Sequence, residues 1–168
     1  DYVDGLEALN NSKIRMIGNP VERFKEDPVR MIRAIRFSVK LGATIDPIIL
    51  KSISNQAYLL ANIPAARLYD ECIKLFHNEN AYEVFEQLVK CGLLNYLFPQ
   101  TEETSFINKT LLNTSKRIKN DKPVTPAFLF AVFLWDAQNK RFNELNKNKK
   151  SRFLIMTQAS EDVIRKQT

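Results

Sequence analysis

Apolar residues recur every three to four positions through most of the chain, and that spacing predicts helices. Read against start and stop signals, it gives helices at about 28–41, 47–60, 64–77, 79–91, 104–119, 125–138 and 151–166, with a short one at 2–10. Asp46-Pro47 is a good start signal, an N-cap carboxylate followed by proline where a missing N–H costs nothing. Pro64 opens another helix, and Gly42 and Gly92 close two more. One stretch departs from the period. "KIRMI", residues 13–17, alternates like a brief strand and runs into Gly18-Asn19-Pro20, a turn signal. A lone strand cannot stand by itself, so its partner is expected outside this chain. "NELNKNKK", 143–150, reads as a loop or a fraying helix end. The expected fold is all-α with one short, orphaned strand-like segment.

The helix at 28–41 carries the most information. Wound at about 100° per residue, it gathers Ile32, Ile35 and Val39, with Met31 beside them, into a stripe to be buried. Arg30, Arg33, Arg36 and Lys40 fall within an arc of roughly 120° on the other side, with Ala34 and Phe37 between. Solubilising faces usually alternate sign, and this one does not. Phosphates or a negatively charged strand would suit it, arginine through its bidentate fork.

Composition sets the outer bounds. The chain has 168 residues, 45% of them hydrophobic and 26% charged, enough for a real core in one domain or two small ones. No apolar run reaches the roughly 20 residues that span a bilayer. Cys72 and Cys91 lack metal-ligand spacing and are expected as reduced, mostly buried thiols in a cytosolic protein. His77 is the only histidine, which excludes a His-based triad or a His-rich metal site and leaves a helix-end or surface role. A net charge of +6 is compatible with a polyanionic partner without requiring one. The chain opens at Asp1 without methionine and stops at Thr168 inside a predicted helix, so it reads as a piece of a longer protein.

Glu26-Asp27 heads the basic helix, and two readings of Asp27 stay open. In the first, Asp27-Pro28 is an N-cap like Asp46-Pro47. In the second, Asp27 and Arg30, three apart, point the same way. A carboxylate accepts from an exocyclic amine while a guanidinium donates to the neighbouring ring nitrogen, which matches the Watson–Crick edge of adenine or cytosine. Glu26 would then hold Arg30 in place. Such a site discriminates because the wrong base leaves buried polar groups unpaired.

"IRMIGNPVERFKEDPVRMIRAIRFSVKLGATI", residues 14–45, closely resembles the neck of the class II template-independent RNA nucleotidyltransferases, the family of bacterial poly(A) polymerases and CCA-adding enzymes. "NIPAARLYDECIKLF" (62–76) and "RIKNDKPVTPAFLFAVFLW" (117–135) look most like the poly(A) polymerase branch. The resemblance implies a head–neck connector at 1–24, a neck at 25–97 and the start of an RNA-binding helical body at 98–168. By position, Glu26, Asp27 and Arg30 match the family's EDxxR motif, in which Asp and Arg pair with the incoming base and Glu orients the Arg. Arg33 and Arg36 match arginines on the nucleotide and RNA side of the neck. "DYVDGLEAL" (1–9) aligns with the DxxGGxxDL hinge motif, but Asp4 stands in place of a glycine and Ala8 in place of an aspartate. Arg67 and Glu71 fit an R-x-x-x-E pairing that an ordinary i,i+4 salt bridge explains equally well.

The implied function is addition of AMP from ATP to RNA 3′ ends, with side chains rather than a template selecting the nucleotide. A CCA-adding enzyme is the alternative, and a stand-alone helical RNA-binding module a third reading. The resemblance implies a preceding head domain as partner, supplying the carboxylates for Mg²⁺, so this portion is expected to be inactive alone, cytoplasmic and free of membrane contact. Lys40, Lys116, Arg117, Lys119 and Lys122 are candidate RNA contacts, although cations near a helix end also answer the helix dipole. "NKNKKSR", 146–152, is read as a solvated run, with contact to RNA phosphates as the alternative. Phe128, Phe130, Phe133 and Trp135 could stack bases, but a packed helical core is the expected home for most of them.

Overall fold

Asn19-Pro20, read above as a turn, starts a helix. In the computed structural model, which describes residues 7, 10–101, 105–146 and 152–165, the Asn19 side chain accepts from Val21 N at 2.8 Å. Proline follows at the first helical position, and α1 runs Pro20–Glu26. Its Phe24 is fully buried. Asp27-Pro28 then breaks the chain direction, and α2 spans Val29–Leu41. Met31, Ile32 and Ile35 are buried as the periodicity requires, and Val39 packs against the same core. Gly42 ends α2 in the left-handed conformation, φ 60°, which favours glycine.

The strand-like segment finds its partner within the chain, contrary to the expectation of an outside one. β1 (Lys13–Ile14) pairs in parallel with β2 (Thr44–Ile45), in register Lys13 to Thr44 and Ile14 to Ile45. Parallel strands need a long crossover, and α1 with α2 supplies it. The sequence hid β2 because it is only two residues long, set between a helix stop and a helix start.

α3 (Pro47–Gln56) opens on Asp46, whose carboxylate accepts from Ile48 N at 2.8 Å. It tightens into a 3-10 helix, Ala57–Asn62, where the periodicity predicts one continuous helix. α4 (Ala65–Phe76), α5 (Ala81–Lys90) and the unpredicted short α6 (Leu94–Leu97) follow. α7 is Ser105–Lys119 and α8 Pro126–Asn146, longer than expected because it continues through the polar residues after 138. α9, Arg152–Arg165, packs back on α8, where Leu145 and Ala159 form a small second cluster.

One core joins α1 to α8, from Phe24 through Ile32, Leu75 and Phe85 to Phe133. Phe98 and Phe133 stack within it, ring centroids 4.2 Å apart. Cys72 and Cys91 are free and buried, and burial pushes the Cys72 thiol up to about 12. His77 ends α4, its Nε2 2.8 Å from the Val124 carbonyl. Of the four aromatics expected mostly inside, Phe133 is buried and Phe130 packs against the core, while Phe128 and Trp135 stand 45% and 47% exposed. The 1–9 hinge motif, apart from Glu7, and most of 146–152 lie outside the described residues.

Candidate functional site

The junction between α1 and α2 gathers the charged residues singled out above. Glu26, the last residue of α1, takes two guanidinium groups on one oxygen: Arg23 Nη1 and Arg30 Nη1 both donate to Oε2 at 2.8 Å. Arg30 Nη1 also donates to the Arg23 carbonyl at 3.0 Å, which ties the start of α2 to the end of α1. The Arg30 hydrogen bond and the charge of Arg23 hold the Glu26 carboxyl below its usual range. Arg23 is a member of the cluster that the sequence reading missed, although its position three residues before Glu26 is enough to give that pair.

Asp27 has a partner that sequence could not supply. Arg67, in the first turn of α4, places Nη2 2.9 Å from both carboxylate oxygens across a gap of 40 residues. The Val29 amide also reaches Asp27 Oδ1, but at 3.3 Å, long beside the 2.8 Å of the true cap at Asp46. The guanidinium is therefore the closer partner of Asp27, and the amide the looser one.

Capacity remains on both candidate base readers. A carboxylate offers roughly four lone-pair sites and a guanidinium five N–H donors. Among the described residues Asp27 accepts three hydrogen bonds, only one of them on Oδ2, and Arg30 commits only Nη1. Their side chains are 19% and 33% exposed. Asp27 and Arg30 thus sit one helical turn apart with an acceptor and donors still available near solvent.

Arg33, one turn further along α2, is met by α4 as well. Its Nε and Nη2 meet Glu71 Oε1 at 3.2 and 2.8 Å, and Lys74 Nζ joins at 3.1 Å. The anticipated i,i+4 bridge between Arg67 and Glu71 is replaced, because α4 packs with Glu71 turned into α2 and Arg67 reaching the α1–α2 junction. Glu71 is 2% exposed. Burial is the largest influence on its carboxyl and would raise it, but the contacts with Arg33 and Lys74 together outweigh burial and lower it. Its second oxygen has no hydrogen-bond partner among the described residues. Arg36 lies over the ring of Phe37, 4.5 Å from the centroid, and Lys40 is exposed at the helix end. The cationic arc is thus divided: Arg30 and Arg33 are matched by carboxylates, Arg36 by a ring.

Lys116, Arg117, Lys119 and Lys122 form a separate group at the carboxyl end of α7. An open cleft of about 360 Å³ is lined by Asn113, Lys116, Arg117, Asn120 and Lys122. Arg117 donates to the Pro123 carbonyl at 3.0 Å, and no carboxylate among the described residues pairs with these four cations. No group of three or more His, Cys, Asp or Glu comes together among the described residues.

Comparison with known proteins agrees with this architecture. A family described as the probable RNA and SrmB-binding site of polymerase A matches residues 42–104. The chain is 44% identical over 145 residues to Poly(A) polymerase I of Salmonella typhimurium, covering 80% of this chain and 31% of that protein. It is 42% identical over 96 residues to the CCA-adding enzyme of Limosilactobacillus reuteri, covering 57% and 24%. A structure of a CCA-adding enzyme with ATP superposes at TM-score 0.71 with 20% identity, over 97% of this chain and 39% of that one. The chain belongs to the class II template-independent nucleotidyltransferases, as part of their helical neck and body region. Within that family it is similar first to poly(A) polymerases and second to CCA-adding enzymes, and it spans about a third of the length of the poly(A) polymerases it matches.

Proposed function

We propose that this chain is the nucleotide-selecting and RNA-holding part of a polynucleotide adenylyltransferase, which adds AMP from ATP to RNA 3′ ends without a template. One observation carries the reading. Glu26 fixes Arg30, and Asp27 and Arg30 keep an acceptor and donors available one turn apart. In this reading Asp27 accepts from the adenine amine and Arg30 donates to the adjacent ring nitrogen. The wrong base leaves one of them unpaired, a loss of the size that lets polar sites discriminate strongly. Arg33 and Arg36 serve the nucleotide side, and Lys40, Lys116, Arg117, Lys119 and Lys122 the RNA backbone. The divisions 1–24, 25–97 and 98–168 as connector, neck and body belong to the same proposal.

The Mg²⁺-dependent chemistry is assigned to a head domain outside this chain, working in the cytoplasm on RNA. Purified chain incubated with RNA and labelled ATP is accordingly expected to add nothing. The test of the main reading uses the full-length protein, a 3′-hydroxyl RNA and each nucleoside triphosphate in turn. ATP alone extending the RNA into a tail supports it. Similarity to a CCA-adding enzyme over 96 residues favours a second reading, and incorporation of CTP on tRNA ends would put that reading first.

A further inference from the structure

Trp135 is the chain's single tryptophan, and it stands on the surface stacked against Phe106 of the neighbouring helix. Their ring centroids are 5.7 Å apart with planes 27° from parallel, and the two side chains are 47% and 41% exposed. A stacked pair left half in water offers a π face to a further planar group. Phe128, 45% exposed, lies seven residues before Trp135 on the same side of α8, about two helical turns nearer the α7–α8 loop. Phe133, on the opposite side, with Leu129 and Val132 on the flank between, already fills the core, so the packing does not need Trp135 or Phe128 inside.

The face of α7 that meets this pair is cationic. Phe106, Lys109, Asn113, Lys116 and Arg117 fall within roughly 100° of arc and span about 16 Å along the helix. All five are exposed. The stripe runs from the aromatic pair to the cleft at the end of α7. Between Ser105 and Pro126 there are five cations and one acid, Asp121, and none of α7's own residues is acidic. Asp136, next to Trp135, is half-buried on α8. An apolar ridge alone would suit a protein partner. An aromatic platform continuing into an uncompensated basic cleft suits a ligand with bases and phosphates.

We propose that this α7–α8 face holds single-stranded RNA, with a base stacked on the Phe106–Trp135 pair and phosphates of neighbouring nucleotides against Lys109, Lys116, Arg117 and Lys122. It lies outside residues 42–104, the stretch matched by the RNA-binding family. The inference rests on the RNA-holding reading above and assigns a particular track to it.

The experiment measures binding of a fluorescein-labelled single-stranded oligoadenylate to the full-length protein over a range of salt. Trp135→Ala is expected to weaken binding about tenfold at every salt, since base stacking is insensitive to ionic strength. Trp135→Phe, which keeps a ring, should retain most of the affinity. Lys116→Gln with Lys122→Gln should instead flatten the salt dependence, by about 0.7 in log–log slope for each phosphate no longer neutralised. Bromouridine photocrosslinking should yield an adduct on Trp135 or Phe106. If the wild-type protein binds RNA and these variants leave affinity and slope unchanged, the track is wrong while the proposed function stands. Equal losses for Trp135→Ala and Trp135→Phe would overturn the stacking role. Unchanged RNA binding with a lowered melting temperature would make the Phe106–Trp135 pair a packing contact between α7 and α8 and overturn the track. A wild-type protein that binds no RNA would remove both readings together.

Discussion

Two cationic regions of this molecule are built on opposite plans. At the α1–α2 junction almost every charge is met by the protein itself, Arg23 and Arg30 by Glu26, Asp27 by Arg67, Arg33 and Lys74 by Glu71. At the end of α7, Lys116, Lys119 and Lys122 face no carboxylate among the described residues. A charge held by a fixed partner is oriented before any ligand arrives, which suits discrimination between similar molecules. A charge facing solvent keeps its mobility and attracts polyanions of any sequence. Under the proposed function the same residue types would serve selection in one place and non-specific grip in the other, according to whether a neighbouring helix brings a carboxylate.

The contrast is most exposed to a pair of substitutions in the full-length protein. Asp27→Asn replaces an acceptor with an amide that also donates, and is expected to lower kcat/KM for ATP by about a hundredfold and erode selection against other bases. Asp46→Asn should leave nucleotide use unchanged and cost at most about 1 kcal/mol of stability. Steady-state kinetics with each triphosphate, together with thermal melts, separates them. Similar stability losses with unaltered nucleotide handling would make Asp27 a plain cap.

Glu71→Gln should produce the largest stability loss, about 1–3 kcal/mol in denaturant unfolding. Its partners are partly exposed and can recover water, which keeps the loss below that for a fully buried pair. The same residue sets a pH dependence. Its folded-state carboxyl is lowered, so its contribution is present above the ordinary glutamate range and disappears as pH falls through the lowered value. The glutamine variant should therefore lose part of the wild-type acid sensitivity, checked by melts across that range.

Arg67→Ala frees Asp27 and is expected to cost about 0.5–1 kcal/mol, because Arg67 is 45% exposed. Its larger effect should be kinetic, a loss of discrimination between ATP and other triphosphates. The smallest change is predicted for Lys116→Gln, within about 0.5 kcal/mol in thermal melts, since the side chain has no carboxylate partner to give up. A marked loss there would mean that the α7 cations stabilise the fold rather than grip a ligand.

Periodicity and punctuation made most of the helices legible. Asp46-Pro47 and Gly42 act as their residue types demand, and Met31, Ile32 and Ile35 are buried on the face their spacing assigns. The EDxxR stretch pointed to the candidate site, and the i,i+4 spacing of Glu26 and Arg30 brings that ion pair with it. Such features depend on neighbours within a turn or two, which the local sequence contains.

Long-range partnerships were decided by packing. Arg67 meets Asp27 across 40 residues, and Glu71 meets Arg33 across 38, because α4 lies against α2 and the α1–α2 junction. β1 pairs with β2 because two helices return the chain beside it. Phe128 and Trp135 share a helix with the buried Phe133, yet only the way α8 is turned toward the core leaves them at the surface. Local chemistry specifies which groups a helix carries; the assembly of helices determines which of those groups are satisfied and which remain open to a ligand.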